Sequence, residues 1–169
     1  MEITKVDLKI LMKEFLSASN RILRADIDNY ASELMKFANF LESRTLIYDY
    51  IKSCGEPEYD VEKEVKEIEQ AYGRLIFSLG TTEENEVANI YAVAKYLALN
   101  NYSGRSLVFY GYSSSRKYQD NLDAFGDKFL RIMITHIENY LTKIGIKMRL
   151  DDKTTVNLHI ENSKVSNTQ

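Results

Sequence analysis

DVEKEVKEIEQAYGRLIFSL, residues 60–79, sets the reading of the whole chain. Val61, Val65, Ile68, Tyr72, Leu75, Ile76 and Leu79 recur at helical spacing. A helix gathers residues three and four apart on one face, so these side chains form an apolar stripe. Glu62, Lys63, Glu64, Lys66, Glu67 and Glu69 fall opposite, as a solvated face. The stretch predicts a helix over 60–79, ended by Gly80.

The same spacing extends in both directions. Towards the N-terminus, Gly55 and Pro57 make CGEPEYD (54–60) a turn. Before it, Ile22, Leu23, Ile27, Tyr30, Leu34, Phe37, Leu41, Ile47, Tyr50 and Ile51 predict a long helical pattern, with a break near Glu42–Ser43. A first helix is expected over 4–17, capped by Thr4, with Val6, Ile10, Leu11, Phe15 and Leu16 on its stripe. Ser17, Ser19 and Asn20 then read as a loose joint.

Beyond Gly80, Thr81 and Glu84 stand at capping-box spacing and open a helix to about Leu99. SLVFYGY (106–112) is short and flanked by turn residues, which predicts a strand. Residues 118–143 return to helical spacing, and Gly145 ends or kinks that helix. In the tail the period changes to two. Ile146, Met148 and Leu150 alternate, as do Val156, Leu158 and Ile160, with DDK (151–153) between them; the first run reads alternatively as the end of the preceding helix. Alternation puts one kind of side chain on each face of a strand. The expected fold is therefore mostly α: a helical bundle over 1–145 with a short central strand near 106–112, and a C-terminal strand or β-hairpin over 146–169. A hairpin is marginal alone, so the tail is expected to pair with another strand or a second copy of the chain.

Bulk composition narrows the function. The 169 residues suffice for one domain with its own core. A single proline suits long helices. Cys54 is alone, which excludes an intramolecular disulfide and a thiolate zinc site. No metal site and no cofactor are expected. The N-terminal stretch carries charge throughout, and no apolar run approaches the length of a membrane span, so a cytoplasmic protein without membrane contact is expected. Charge is unevenly spread: residues 55–100 hold ten acids against four bases, and 101–150 hold four acids against eight bases. The second half suits nucleic acid weakly, because its excess of four positive charges is modest for a phosphate tracker.

Two stretches carry candidate chemistry. YGYSSSRKYQD (110–120) follows the expected strand and precedes a helix. It has neither a nucleophile elbow nor a Walker pattern. A serine there is expected to cap the helix. Tyr112, Ser113, Ser114, Ser115, Arg116 and Lys117 form the candidate contact loop. In RIMITH, Arg131 precedes His136 on a helix, the minimal pattern of HEPN-type ribonucleases. There the arginine stabilises phosphate charge and the histidine moves a proton. Ile132 stands where that family commonly has a polar residue, and His136 shares the apolar stripe of Phe129, Met133 and Tyr140, which favours a packed, hydrogen-bonded histidine. Tyr91, Tyr96, Tyr102, Tyr110, Tyr112 and Tyr118 crowd the middle of the chain, where tyrosines pack by the ring or offer a stacking surface.

The blocks YDYIKSCG (48–55), YGYSSSRKYQD (110–120) and HIENYLTKIGIKM (136–148), with the ending NSKVSNTQ (162–169), resemble a group of bacterial proteins of low-GC Gram-positives and their phage-like or mobile elements. The resemblance spans roughly 20–169 and carries no assigned reaction. It implies a cellular setting and tails suited to strand pairing. Together these readings favour a non-enzymatic interaction or regulatory protein, self-associating through its C-terminal strand. A HEPN-like ribonuclease using Arg131 and His136, and a nucleic-acid binder using 101–150, are the alternatives.

Overall fold

The computed structural model describes residues 2–149. Their secondary structure is helical: α1 (Lys5–Leu23), a 3-10 turn (Ile27–Asn29), α2 (Tyr30–Ser43), α3 (Thr45–Ser53), α4 (Val61–Gln70), α5 (Glu83–Leu99), α6 (Gly104–Leu107), α7 (Tyr118–Phe125), a π turn (Gly126–Leu130) and α8 (Arg131–Lys147). Among the described residues there is no strand, and no helix is long and apolar enough to cross a membrane.

The described residues divide into two compact units, one of 2–15 with 138–149, the other Leu16–Ile137. In the first, Thr4 and Asp7 cap α1 reciprocally. The Asp7 N–H donates to Thr4 Oγ1 (3.0 Å), and the Thr4 N–H donates to Asp7 Oδ2 (3.2 Å). Leu8, Leu11, Phe15 and Leu141 are its buried apolar side chains, whereas Val6 and Ile10, expected on the inner stripe, are exposed.

In the second unit α5 is the central element and packs against α2, α3 and α4. Val87, Ala88, Ile90, Val93, Ala94, Leu97 and Ala98 are all buried, so α5 is apolar around most of its circumference. It receives Leu34, Phe37 and Leu41 of α2, Ile47 and Ile51 of α3, and Val65 and Ile68 of α4 as buried partners in one core. A second, aromatic cluster lies where the chain is least regular. Phe77 stands 5.1 Å from Phe129 and 5.6 Å from Tyr110, centroid to centroid. Phe125 lies 5.3 Å from Tyr112 and 5.4 Å from Phe129.

Several expectations change. The helix expected over 60–79 stops at Gln70. Tyr72 (φ 51°) and Gly73 (φ 85°) both turn left-handed, and two such residues in succession cannot continue a right-handed helix. The stripe misled because Phe77, which is off it, is the side chain that reaches the core. The freed backbone then finds side-chain partners: the Ser78 N–H donates to Glu64, the Ser78 carbonyl accepts from Tyr59, and the Leu79 carbonyl accepts from Asn89. Asn89, buried within α5, also accepts from the Glu58 N–H (2.8 Å), tying the segments before and after α4 to the central helix.

The strand expected over 106–112 is instead the end of α6 followed by turns. Ser103 caps α6 by accepting from the Ser106 N–H, and Gly104 lets the helix start against the Ile27 carbonyl, which an added Cβ would meet at 2.6 Å. The cap of α5 is Thr82, which accepts from the Asn85 N–H, rather than Thr81. α1 runs through the expected joint at Ser17–Asn20 to Leu23. The break between α2 and α3 falls at Arg44, beside the expected position. The helix expected over 118–143 is α7, the π turn and α8, and it passes Gly145 to reach Lys147. Residues 146 and 147, expected to open the β tail, are therefore helical, and the Met148 N–H still donates to the Ile144 carbonyl. The alternating run Val156–Ile160 and the rest of the expected C-terminal strand lie outside the described residues.

Candidate binding cleft

The two irregular segments, 71–80 and 108–117, lie side by side. The Gly111 N–H donates to the Leu75 carbonyl at 2.9 Å, and the Phe77 N–H donates to the Tyr112 hydroxyl at 3.1 Å. Glycine is required at 111 because of this approach: a Cβ there would stand 2.6 Å from the Leu75 oxygen. Between the segments opens a cleft of about 600 Å³. Glu69, Tyr72 and Gly73 border it at the end of α4, Ser106 borders it from α6, and Val108–Tyr110 border it after α6. Ser113–Ser115 and the start of α7, Tyr118 and Asn121, complete it.

Its serine loop is fixed from within. Asn121, buried on α7, accepts from the Ser115 N–H through Oδ1 and donates to the Ser115 carbonyl through Nδ2, both at 3.0 Å. The Ser115 hydroxyl accepts from the Lys117 N–H (3.1 Å) and donates to Asp120 (3.0 Å); the N-cap of α7 is Lys117, which has no side-chain cap, so Ser115 braces the turn before the helix instead of capping it as expected. Ser113 Oγ accepts from the Ser115 N–H at 3.2 Å. Ser114 is exposed on the cleft. α7 is itself held by Gln119, which accepts from the Ile27 N–H and donates to the Ala25 carbonyl. The loop is thus a positioned surface.

The rim is aromatic. Tyr72 is 84% exposed, Phe109 58% and Tyr118 46%. Phe109 and Tyr118 pair edge to face, 5.6 Å between centroids. Tyr72 holds its left-handed backbone although it has a Cβ, a conformation that costs of order 1 kcal/mol and gathers at functional sites. Tyr110 lies below the rim. Its hydroxyl is buried and has no hydrogen-bond partner. Burial pushes that hydroxyl far above the usual phenol range, and the Glu69 carboxylate pushes it the same way. Tyr102 is pushed up to about 12, by burial first and then by Glu69. Glu69 is the charged residue of the lining.

The contact loop expected from sequence divides three ways. Ser113, Ser114 and Ser115 line the cleft. Tyr112 is in the core, with its hydroxyl engaged by Phe77. Arg116 and Lys117 are exposed and stand outside the lining. Glu69, Tyr72, Phe109 and Asn121 were not singled out from sequence. The signal for the first two was Gly73, which ends α4 beside them. Phe109 and Asn121 are united with the serines only by the fold.

Arg131 and His136 are not brought together. Arg131 pairs with Asp127 (Nη2–Oδ1 2.9 Å) and borders a groove with Arg24, Gln119 and Asp123. His136 is a hydrogen-bonded, partly buried histidine whose side chain is 19% exposed, and its Nε2 lies 2.7 Å from Glu86 Oε1. Its Nδ1 is 3.8 Å from Glu83, which in turn accepts from the Tyr50 hydroxyl at 2.6 Å. Five residues along a helix rotate by about 140°, which separates the two partner sets. Among the described residues, no group of three or more histidine, cysteine, aspartate or glutamate side chains is placed to hold a metal ion.

No family model, curated protein or solved structure matches the chain.

Proposed function

We propose that this protein is a non-catalytic recognition module whose ligand seat is the cleft between residues 69–73 and 106–121. One observation carries the reading: three exposed aromatic rings, Tyr72, Phe109 and Tyr118, border a concavity of small-ligand size whose loop is pinned by Asn121. Large exposed aromatic groups around a rigid concavity cost solvation and mark binding surfaces. The ribonuclease alternative asks Arg131 and His136 to converge on one phosphate, yet each is engaged by its own carboxylate. The nucleic-acid alternative asks for free bases in 101–150, yet Arg105 pairs with Asp28, Arg131 with Asp127, and Lys128 donates to the Tyr112 carbonyl.

Amide NMR with a panel of small aromatic fragments tests the reading. Shifts are expected to converge on residues 72–73, 109–115 and 118, and to vanish in Phe109→Ser/Tyr118→Ser with the melting temperature kept. Shifts scattered over other surfaces, or unchanged in the double variant, would contradict it.

Self-association through the alternating residues 155–161 belongs to the same proposal, and its support is the sequence period. Light scattering is expected to give a larger mass for the full chain than for a chain stopped after Asp152. Equal monomeric masses would remove that part.

A further inference from the structure

Resting on the recognition reading above, we infer that the cleft selects a small organic cation, an ammonium group carried on an apolar body. The electrostatics of the lining point this way. Glu69 is its charged residue, and no lysine or arginine pairs with that carboxylate among the described residues. The nearest bases in sequence are engaged elsewhere: Lys66 pairs with Glu62 at 2.8 Å, and Arg74 turns its Nε to the Ala71 carbonyl at 2.9 Å. A carboxylate has room for several donors, so the reach of the Tyr102 hydroxyl towards it leaves Glu69 capacity for a ligand. The surrounding stretch, 55–100, holds ten acids against four bases, which adds to the negative field at this end of α4.

The rim acts in the same sense. Aromatic faces carry negative quadrupole density and attract a cation within about 6 Å of the ring centre. Tyr72, Phe109 and Tyr118 supply three such rings at one opening. Phosphates and carboxylates are disfavoured, because Arg116 and Lys117 stand outside the lining and nothing cationic replaces them there. The volume, about 600 Å³, exceeds what a lone ammonium fills and lies in the range of small organic ligands. Concavity on that scale favours a free molecule over the single side chain of a partner protein.

The probe is choline, with 3,3-dimethylbutan-1-ol as a neutral molecule of the same shape, each titrated into the full chain by amide NMR. Choline is expected to shift residues 72–73, 109–110 and 113–115, and to bind about tenfold more tightly than the alcohol, the size of a favourable cation–π and carboxylate contribution. Glu69→Gln is expected to bring choline down to the alcohol's affinity while leaving the alcohol's own affinity and the melting temperature unchanged. Equal affinities in the native chain would overturn the cation inference and leave the cleft reading standing. An absence of cleft shifts with choline, the alcohol and the aromatic fragments alike would remove both. A capped trimethyllysine tetrapeptide that binds tenfold more tightly than choline would overturn the small-molecule source in favour of a protein side chain.

Discussion

Gly111 is the residue on which the site depends most. Its N–H meets the Leu75 carbonyl, and the space where a Cβ would stand is already filled by that oxygen. The obstacle is backbone, which cannot turn aside as a side-chain tip would. Gly111→Ala is therefore expected to destabilise by about 1–3 kcal/mol, the usual cost of forced overpacking, and to widen the cleft. Denaturant unfolding gives the first effect, and amide shifts of 73–77 give the second. An alanine variant of native stability would mean that the segments do not meet as described. Tyr110 makes the opposite prediction. A buried hydroxyl without a partner costs roughly 1–3 kcal/mol, so Tyr110→Phe is expected to hold or raise stability by up to about that amount. A loss above about 1 kcal/mol would reveal a hydrogen bond at that hydroxyl.

Residue identity made part of this legible. Thr4 announces a cap, which Asp7 makes reciprocal in the fold, and Gly55 a turn, because each type has one common use at a helix end. Ser115 was legible as a residue of the entrance of α7 but not in its role, since it braces the turn while Lys117 takes the cap position. The role of Asn121 was not, since a buried amide in a helix declares its partner only when the loop folds back on it.

Among the elements, α4 and the segment after it matter most. Helical spacing through Leu79 is real in the sequence, but spacing reports which residues could share a face and is silent on which face wins. Phe77 decides the outcome. Almost fully buried, it packs against Tyr110, Phe125 and Phe129. That burial outweighs continuing a helix whose later stripe residues, Tyr72, Leu75 and Ile76, remain exposed. Phe77→Ala is expected to cost about 3–5 kcal/mol, and to cost ligand binding with it, because the segment bordering the cleft is anchored by that ring. A loss near 1 kcal/mol would place Phe77 at the surface instead. SLVFYGY misled in a related way: a short apolar run between turns looks the same whether it pairs as a strand or plugs a core through Leu107, Val108, Tyr110 and Tyr112.

In the larger unit as a whole, α5 organises the packing, and a carboxylate ties it to α2. Burial would raise the Glu42 carboxyl, but Lys95 at 2.5 Å and the Tyr91 hydroxyl outweigh that and hold it below the usual range. A carboxyl depressed in the folded chain adds stability that is complete above its unfolded value, about 4.3. That stability is lost as pH falls through the lower folded value. Solvent screening keeps the contribution to about 1 kcal/mol. Glu42→Gln is thus expected to lower stability by that amount at pH 7, with the difference from the native chain shrinking below pH 4. A gap independent of pH would show the effect to be packing and not charge. The uneven charge of the halves was legible from sequence. Its use was not, because Arg105 and Lys128 are engaged by the Asp28 carboxylate and the Tyr112 carbonyl, which only the fold brings near.

All of this depends on the chain leaving the helix at Tyr72–Gly73 to run beside Gly111. Backbone ¹³C chemical shifts across residues 61–80 test it most directly. Helical values are expected through Gln70, left-handed values at Tyr72 and Gly73, and non-helical values from Leu75 to Leu79. Helical values continuing unbroken to Leu79 would contradict the account, since that helix would close the cleft and withdraw Phe77 from the core.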